Sequence, residues 1–369
     1  MADVVRIGIV GTGGIARGQH IPGYLRRKDA KITMFCDVNE QALCAMGATY
    51  GVDNLTTDYM ALVNSPEVDA ISVCTSNDMH HPVTMAAIGA GKHVLCEKPL
   101  AMNYAQASEM YLAAKQAGLV GGVGFVHRCT PSARLAHRLV SSGALGKVYH
   151  VIANYSYGMV PGPVPTLVWR RQKERAGAGV SWDLGAHMID MTRWWLGQEI
   201  TAVSARLKTY VTEAALPTGE GMAPVTTDDA SSFIADFDGG ALGTFLNTTH
   251  LTGRGFEQKI EVYGSQGALR YDQDKPYTLQ VAIGKEMMDL FLPRGVERPE
   301  PYPSVPVPAE LRDRWPGMSL TPDFVGAIRG DSAFMPTFYD GMRVQQVLDA
   351  LLQSNAERCW VQLPSAEKK

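Results

Sequence analysis

Several short stretches of this sequence carry side chains whose types and spacing suit chemistry. Gly11-Thr12-Gly13-Gly14-Ile15-Ala16 follows an apolar run and opens a helical segment. In that setting GxGxxA is a phosphate cradle. Gly11 allows a tight turn, Gly13 lets the backbone approach a pyrophosphate, and Ala16 permits close helix–strand packing. The helix start, with Gly14 and Ile15, offers unpaired N–H groups and partial positive charge. GxGxxA alone also serves as a plain connecting turn. Here Asp37 strengthens it by ending the second apolar run, where its carboxylate can accept hydrogen bonds from adenosine ribose hydroxyls. The implied ligand is a dinucleotide. A 2′-phosphate would meet like charge at Asp37, and Val38, Asn39 and Glu40 supply no cation, so NAD is favoured over NADP.

Thr75-Ser76-Asn77-Asp78-Met79-His80-His81 follows the fourth apolar run, and Glu97-Lys98-Pro99 follows the fifth. In an open parallel sheet, ligands bind beyond the carboxyl ends of the strands, so both stretches point toward the nicotinamide end of such a ligand. Taken singly, Lys98 reads as an ordinary loop lysine and His80 as a capping or packing histidine. A further stretch, Gly179-Val180-Ser181-Trp182-Asp183-Leu184-Gly185-Ala186-His187-Met188-Ile189-Asp190, puts Asp183 and His187 four apart. If it is helical from about Trp182, the two share a face. A helix-start aspartate beside a satisfied histidine is the plain alternative. A shared metal ion is another, although HExxH and HxH are absent and a third ligand would have to come from elsewhere.

The elements that must position these groups alternate regularly over the first 126 residues. Strand-like runs at Val4–Val10, Lys31–Cys36, Leu55–Thr57, Asp69–Cys74, His93–Cys96 and Val120–Val126 are separated by helical segments. The helices run to Arg26, from about Asn39 to Tyr50, from about Pro82 to Gly89, and over Tyr104–Ala117. This predicts an α/β fold: an N-terminal, doubly wound parallel sheet with helices on both faces. After His127 the pattern changes. A helix over Ser132–Ser142 precedes strands at Val148–Tyr157, Ile200–Thr209, Ala230–Phe237, Ala241–Thr248, Gln258–Tyr263 and Ala268–Tyr271, with tight-turn signals at Asp238-Gly239-Gly240 and Gly264–Gly267. The second half is therefore predicted as a mostly antiparallel sheet with a few helices, ending in a helix near Tyr339–Asn355. Domains 1–126 and 127–369 follow. Tyr157–Val168, Glu213–Thr227 and the proline-rich Leu292–Pro316 read as irregular.

Composition narrows the function class. The chain has 369 residues, 34 Lys+Arg against 37 Asp+Glu and a formal net charge of −3, which removes the electrostatic footprint of a nucleic-acid binder. Apolar runs fall short of the ~18 residues that span a bilayer. The start, MADVVRIGIVG, lacks the basic and long apolar regions of a signal peptide. Six scattered cysteines without CxxC read as buried free thiols, and a cytoplasmic location is expected.

The order of these pieces, GxGxxA, a strand-end Asp, TSNxxH, EKP and then WR…GxGxxxDxGxHxxD, resembles the Gfo/Idh/MocA family of oxidoreductases from Ile7 to about Leu363. One departure is Gly177-Ala178-Gly179, where relatives often carry consecutive glycines. The resemblance implies an N-terminal Rossmann domain and a C-terminal α/β domain with an open, mostly antiparallel sheet, with Lys98, Asp183 and His187 lining a substrate pocket and Asn77 and His80 bordering the nicotinamide. Thr75, Glu97 and Lys98 join the cofactor set. Arg128, Tyr157, Trp169 and Arg170 join the substrate set, Trp169-Arg170 matching the family's WR. The implied substrate is a sugar, cyclitol or sugar derivative. Tyr155, Tyr157 and Trp169 could stack on a pyranose or be sheet residues, and Arg170, Arg171, Lys173 and Arg175 could recognise an anionic group or form a solvated basic loop.

The expected chemistry is oxidation of a secondary alcohol, whose hydroxyl must lose a proton for hydride to leave for the nicotinamide. His187 suits the base, with a reference pKa of ~6.5. Lys98, cationic with a reference value of ~10.4, would favour negative charge on the reacting oxygen, and Asp183 would orient substrate or base. A glycoside hydrolase using NAD transiently and a non-catalytic NAD-binding sensor are the alternatives. No metal is expected. An uncovered apolar sheet face predicts a homodimer or homotetramer.

Overall fold

A computed structural model of the chain describes residues 4–158, 164–283, 302–312 and 317–364. The chain forms two compact units. The first holds a six-stranded parallel sheet built from β1 (Val5–Val10), β2 (Ala30–Cys36), β3 (Leu55–Thr56), β4 (Ala70–Val73), β5 (His93–Cys96) and β6 (Gly121–Val123). The spatial order is β3-β2-β1-β4-β5-β6. This is the doubly wound order whose direction reverses between β1 and β4, so a crevice opens there beyond the strand ends. β4 is buried at all four positions, as a central strand covered on both faces must be.

The helix that follows the glycine turn is helical over 14–25 and is wound wide, as a π-helical turn, over Ala16–His20. Asn39 caps Glu40–Tyr50 and Asn103 caps Tyr104–Ala117, each through its side-chain oxygen. Gly51 and Gly118 end those two helices in the left-handed region, where a Cβ would be strained. The sixth strand stops at Val123, shorter than the expected Val120–Val126, and a 3-10 turn at Val126–Cys129 takes over.

The first unit runs from the N-terminal segment to Val126, and the second begins at His127. The first unit also takes in Glu174–Gly177 and Met318–Gln345. The reason is local packing. Ser319 Oγ and Thr321 Oγ1 donate to the carbonyls of Gln19 and His20, and Val123 N donates to Pro336 O. Phe334 and Phe338 lie over Gly122 and Gly121, where a Cβ would come within 2.3 and 2.6 Å of the rings. The helix Thr321–Arg329 was not expected from the sequence, and neither was Tyr59–Val63.

The second unit is built on a nine-stranded sheet among the described residues. In chain order its strands are β7 (Val148–Ser156), β8 (Ile200–Lys208), then β11 (Ala230–Phe237), β12 (Leu242–Thr248), β13 (Glu257–Gly264), β14 (Gly267–Asp272), β15 (Thr278–Ile283), β16 (Ser304–Pro306) and β17 (Val361–Gln362); β9 (Glu213–Ala215) and β10 (Met222–Pro224) form a separate two-stranded ribbon. The order is β16-β15-β14-β13-β7-β12-β11-β8-β17. Among the described residues of this sheet, only β7 and β12 pair in parallel. The alternation of β11, with Phe233, Ala235 and Phe237 inward and Ser232, Ile234 and Asp236 outward, is that of a sheet covered on one side.

On the covered side, the helix Gly185–Leu196 packs against β7 and β12. Phe233 stacks on Phe245 with ring centroids 4.3 Å apart, and Trp182 and Trp195 are fully buried. Burying a side chain such as Phe245 contributes ~1.5–3 kcal/mol. Two stretches expected to be irregular hold strands: the ribbon within Glu213–Thr227, and β16 within Leu292–Pro316. Pro306 is tolerated in β16 because that strand is an edge. Residues 292–301 and 313–316 of the proline-rich stretch, and 159–163, lie outside the described residues. Four of the cysteines are buried, but Cys44 and Cys359 are exposed, a correction to the expectation for all six.

Candidate functional site

The parallel register of the first unit brings Gly11, Asp37, Thr75, Glu97 and Lys98 to one edge of the sheet, at the carboxyl ends of β1, β2, β4 and β5. Backbone bonds continue the ladder past the strands: Gly11 N to Cys36 O, Cys74 N to Val10 O, and Glu97 N to Val73 O. Gly11 has φ 93°, and a Cβ there would lie 2.5 Å from the Cys74 carbonyl oxygen, so only glycine lets β1 turn this close to β4. Gly13 and Gly14 are exposed, and a Cβ on either would meet nothing within 4 Å. The helix start is thus open on the side a pyrophosphate needs, with half-buried Ile15 following.

Asp37 does more than the sequence indicated. Its Oδ2 accepts from Thr12 N at 2.7 Å and Thr12 Oγ1 at 2.8 Å, and its Oδ1 accepts from Asn39 N at 3.0 Å. It therefore ties the glycine turn to the end of β2. A carboxylate has about four lone-pair sites, so acceptor capacity remains for ribose hydroxyls. The residues present fit a dinucleotide.

The stretch after β4 is anchored rather than loose. Buried Asn77 donates from Nδ2 to Ala176 O at 2.9 Å. Arg175 Nη2 donates to Ser76 Oγ at 3.0 Å and its Nε lies 3.6 Å from Asp78 Oδ2. His80, 1% exposed, makes a 2.8 Å contact from Nδ1 to Pro99 O. A carbonyl only accepts, so Nδ1 carries the proton. Burial lowers the His80 pKa, against a smaller upward pull from the Pro99 carbonyl and Glu97. His80 thus holds the loop that carries Lys98, joined to Pro99 by a cis peptide bond.

Glu97 is buried and accepts from His20 and from Lys98 N. His20 Nδ1 lies 3.1 Å from Ser72 Oγ, which in turn lies 2.7 Å from Tyr24 Oη. Burial raises the Tyr24 phenol well above its ordinary range. His20 was not singled out in the sequence; a histidine within the helix after the cradle was the only signal.

In the second unit, the stretch carrying Asp183 and His187 is helical from Val180, two residues before the expected start. It is two helices, Val180–Asp183 and Gly185–Leu196, joined at Leu184 in helical conformation. His187 N donates to Leu184 O at 3.2 Å across that joint. Asp228, unremarked in the sequence, fixes the start. Its carboxylate accepts from Gly179 N at 2.7 Å, Ser181 N at 2.8 Å and Ser181 Oγ at 2.9 Å. Burial raises its pKa, and those donors only partly offset the rise. A Cβ on Gly179 would fall 1.9 Å from Asp228 O, so the glycine after Ala178 is required by close approach.

His187 is 5% exposed and sits among rings: His127 at 4.1 Å between centroids and Tyr155 at 6.2 Å. Asp183 is half-buried. Burial raises the Tyr155 and Tyr157 phenols, and the negative charge of Asp183 raises both further. Arg171 and Arg170 oppose that rise at Tyr157. Asp183 therefore lies within electrostatic reach of both tyrosines, and Arg170 and Arg171 within reach of Tyr157. Trp169 is half-buried, with the Arg170 guanidinium 4.3 Å over its ring. Arg128, expected in the substrate set, is 4% exposed and binds Asp190 through two bonds of 2.8 and 2.5 Å. These bonds tie Arg128 to the helix that carries His187. Among the described residues, no group of three His, Cys, Asp or Glu side chains could hold a metal ion, and no helix is long and apolar enough to cross a membrane.

A switch-point cradle with a strand-end carboxylate, followed by a second α/β unit, defines a dinucleotide-binding protein of the doubly wound class. The chain belongs to the Gfo/Idh/MocA family. It matches the oxidoreductase family with NAD-binding Rossmann fold over residues 5–125 and the GFO/IDH/MocA C-terminal domain over residues 133–270. Residues 5–125 thus form an NAD-binding Rossmann domain. It is 30% identical over 354 residues to a levoglucosan dehydrogenase of Pseudarthrobacter phenanthrenivorans, covering 90% of this chain and 89% of that one. It is 30% identical over 275 residues to a myo-inositol 2-dehydrogenase of Thermotoga maritima, covering 74% and 77%. A solved levoglucosan dehydrogenase in complex with NADH and L-sorbose superposes with a TM-score of 0.86 at 27% identity, covering 98% of this chain and 100% of that chain.

Proposed function

We propose that the protein oxidises a secondary hydroxyl of a sugar, cyclitol or sugar derivative, with NAD as hydride acceptor. The observation that carries this is the position of Lys98: it stands at the end of β5, on the same sheet edge as the NAD cradle. The names of the relatives, a levoglucosan dehydrogenase and a myo-inositol 2-dehydrogenase, support the substrate class. Bound NAD supplies the two-electron acceptor, and the protein supplies the proton chemistry. His187 takes the hydroxyl proton. Lys98 donates to the reacting oxygen and stabilises the negative charge that develops there. Asp183 orients substrate or base, Tyr157, Trp169 and Arg170 border the substrate, and Thr75, Asn77, His80 and Glu97 shape the nicotinamide end.

The reaction is tested with purified protein, NAD, and a panel containing levoglucosan, myo-inositol and other polyols, followed at the NADH absorbance band. Lys98→Met and His187→Ala should each lower turnover about 10²–10⁴-fold while NAD affinity stays within about threefold. Near-wild-type rates in both variants would overturn these roles. Release of an aglycone from glycosides without NADH would replace the dehydrogenase by a hydrolase.

The same reading includes a homodimer or homotetramer in a reducing cytoplasm. Ile152, Thr244 and Ile234 form one row across β7, β12 and β11, beside Leu246, and all three apolar members are exposed. An exposed apolar row of this kind suits burial against another copy. A monomer in light scattering at micromolar concentration would exclude the assembly.

A further inference from the structure

His127 and His187 stand nearly perpendicular, their ring planes 84° apart and centroids 4.1 Å apart. Only 4% and 5% of their surfaces are exposed. Tyr155 meets His127 edge-on at 5.6 Å, and Phe256 packs on Tyr155 at 5.4 Å. Two imidazoles thus share one enclosed aromatic nest. Only His187 has a part in the proposed reaction, and the inference rests on that reading.

We propose that His127 is a positioning residue that sets the protonation of His187, the pair sharing a single proton near neutral pH. Two imidazolium rings this close repel, and burial removes the water that would screen them. One imidazolium against a neutral ring is favourable, because the positive edge of one faces the π cloud of the other. The pair therefore loses its protons in two separated steps that belong to both rings. The second proton, taken up only at lower pH, is the one that would charge His187 in every molecule and stop it from acting as a base. With His127 present, a fraction of molecules keeps His187 neutral to lower pH than a lone histidine would.

The other charged groups around the pair are largely committed elsewhere. On the helix of His187, Asp190 binds Arg128 and Arg193 binds Glu199. From Pro131–Ser141, Arg134 donates to Arg128 O and His137 stacks on Trp194. From β7 and β14, the Tyr155 and Tyr271 phenols are raised by burial and stay neutral. Asp183, at the end of the preceding helix, favours the imidazolium, and His127 opposes it.

The test compares the pH dependence of kcat for wild type, His127→Phe and His127→Gln, alongside NMR titration of ¹³C-labelled histidine. In wild type the His127 and His187 resonances should titrate together in two steps; independent single steps would overturn the proposal without any variant. In both variants His187 should titrate in one step, and the acid limb of kcat should move up by about one pH unit. His127→Phe preserves an edge-to-face ring without a titrating group. If its profile and its His187 titration coincide with wild type, His127 only packs and the proposal fails. If the His187 titration changes while the acid limb does not, the coupling stands and His187 is not the base.

Discussion

His20 Nε2 lies 2.8 Å from Glu97 Oε1, with both side chains buried. His20 ends the wide turn of the helix that opens at the NAD cradle, and Glu97 precedes Lys98. One contact therefore joins the cofactor helix to the loop that carries the cationic side chain.

This contact makes stability depend on acid. Burial alone would raise the Glu97 pKa, but the His20 hydrogen bond and the charges of His20 and Lys98 outweigh it and leave the pKa below its usual 4.5. A carboxyl depressed in the folded state contributes stability above its unfolded pKa, and that contribution is lost as pH falls through the folded value. Glu97→Gln should cost about 1–3 kcal/mol at pH 7, with the difference from wild type shrinking below pH 4.5. Urea unfolding at pH 7 and at acid pH measures both. An equal difference at the two values would show that Glu97 is not ionised in the fold.

Asp37 should set both cofactor affinity and cofactor choice. Asp37→Ala removes the ribose acceptor and the anchor of Thr12, so NAD binding should weaken about 10–100-fold, the worth of one or two charge-assisted hydrogen bonds. The like charge facing a 2′-phosphate disappears with it, so the ratio of kcat/KM for NAD over NADP should fall at least about tenfold. Thr12→Val, which keeps the backbone N–H donor to Asp37, should weaken NAD only a few-fold and leave that ratio in place. A ratio unchanged in Asp37→Ala would assign cofactor choice to other groups.

The close approach of Gly179 to Asp228 should be felt at the substrate rather than at NAD. Gly179→Ala forces the start of Val180–Asp183 away from the Asp228 carbonyl and displaces Asp183 and His187 together. Misplacement of about 1 Å costs roughly 10²-fold in rate, so kcat should fall by that order while NAD affinity holds. Steady-state kinetics and a fluorescence titration of NAD separate the two. Wild-type turnover in Gly179→Ala would mean that the joint at Leu184 absorbs the shift.

Much of this fold is legible in the residues because local spacing encodes local geometry. His93–Cys96, Tyr104–Ala117 and Ala230–Phe237 have the boundaries expected from apolar periodicity and their flanking glycines and asparagines. Thr278–Ile283 and Thr321–Arg329 escaped it: the first is a short edge-side strand, and the second earns its place through Ser319 and Thr321 bonding to the backbone of Gln19 and His20. That bonding also draws Met318–Gln345 into the first unit, which no feature of its own sequence announces.

The sequence by itself determined the cradle at Gly11–Ala16, the carboxylate at the end of the second strand, and the stretches carrying Lys98, Asp183 and His187, since each depends on neighbours within a few residues. Only the tertiary structure decided how these groups are held: Glu97 by His20, Gly179 by Asp228, Asp190 by Arg128, and His187 by His127. Those partners are distant along the chain, and what brings them together is the register of strands and the packing of helices on a sheet, which no local spacing specifies.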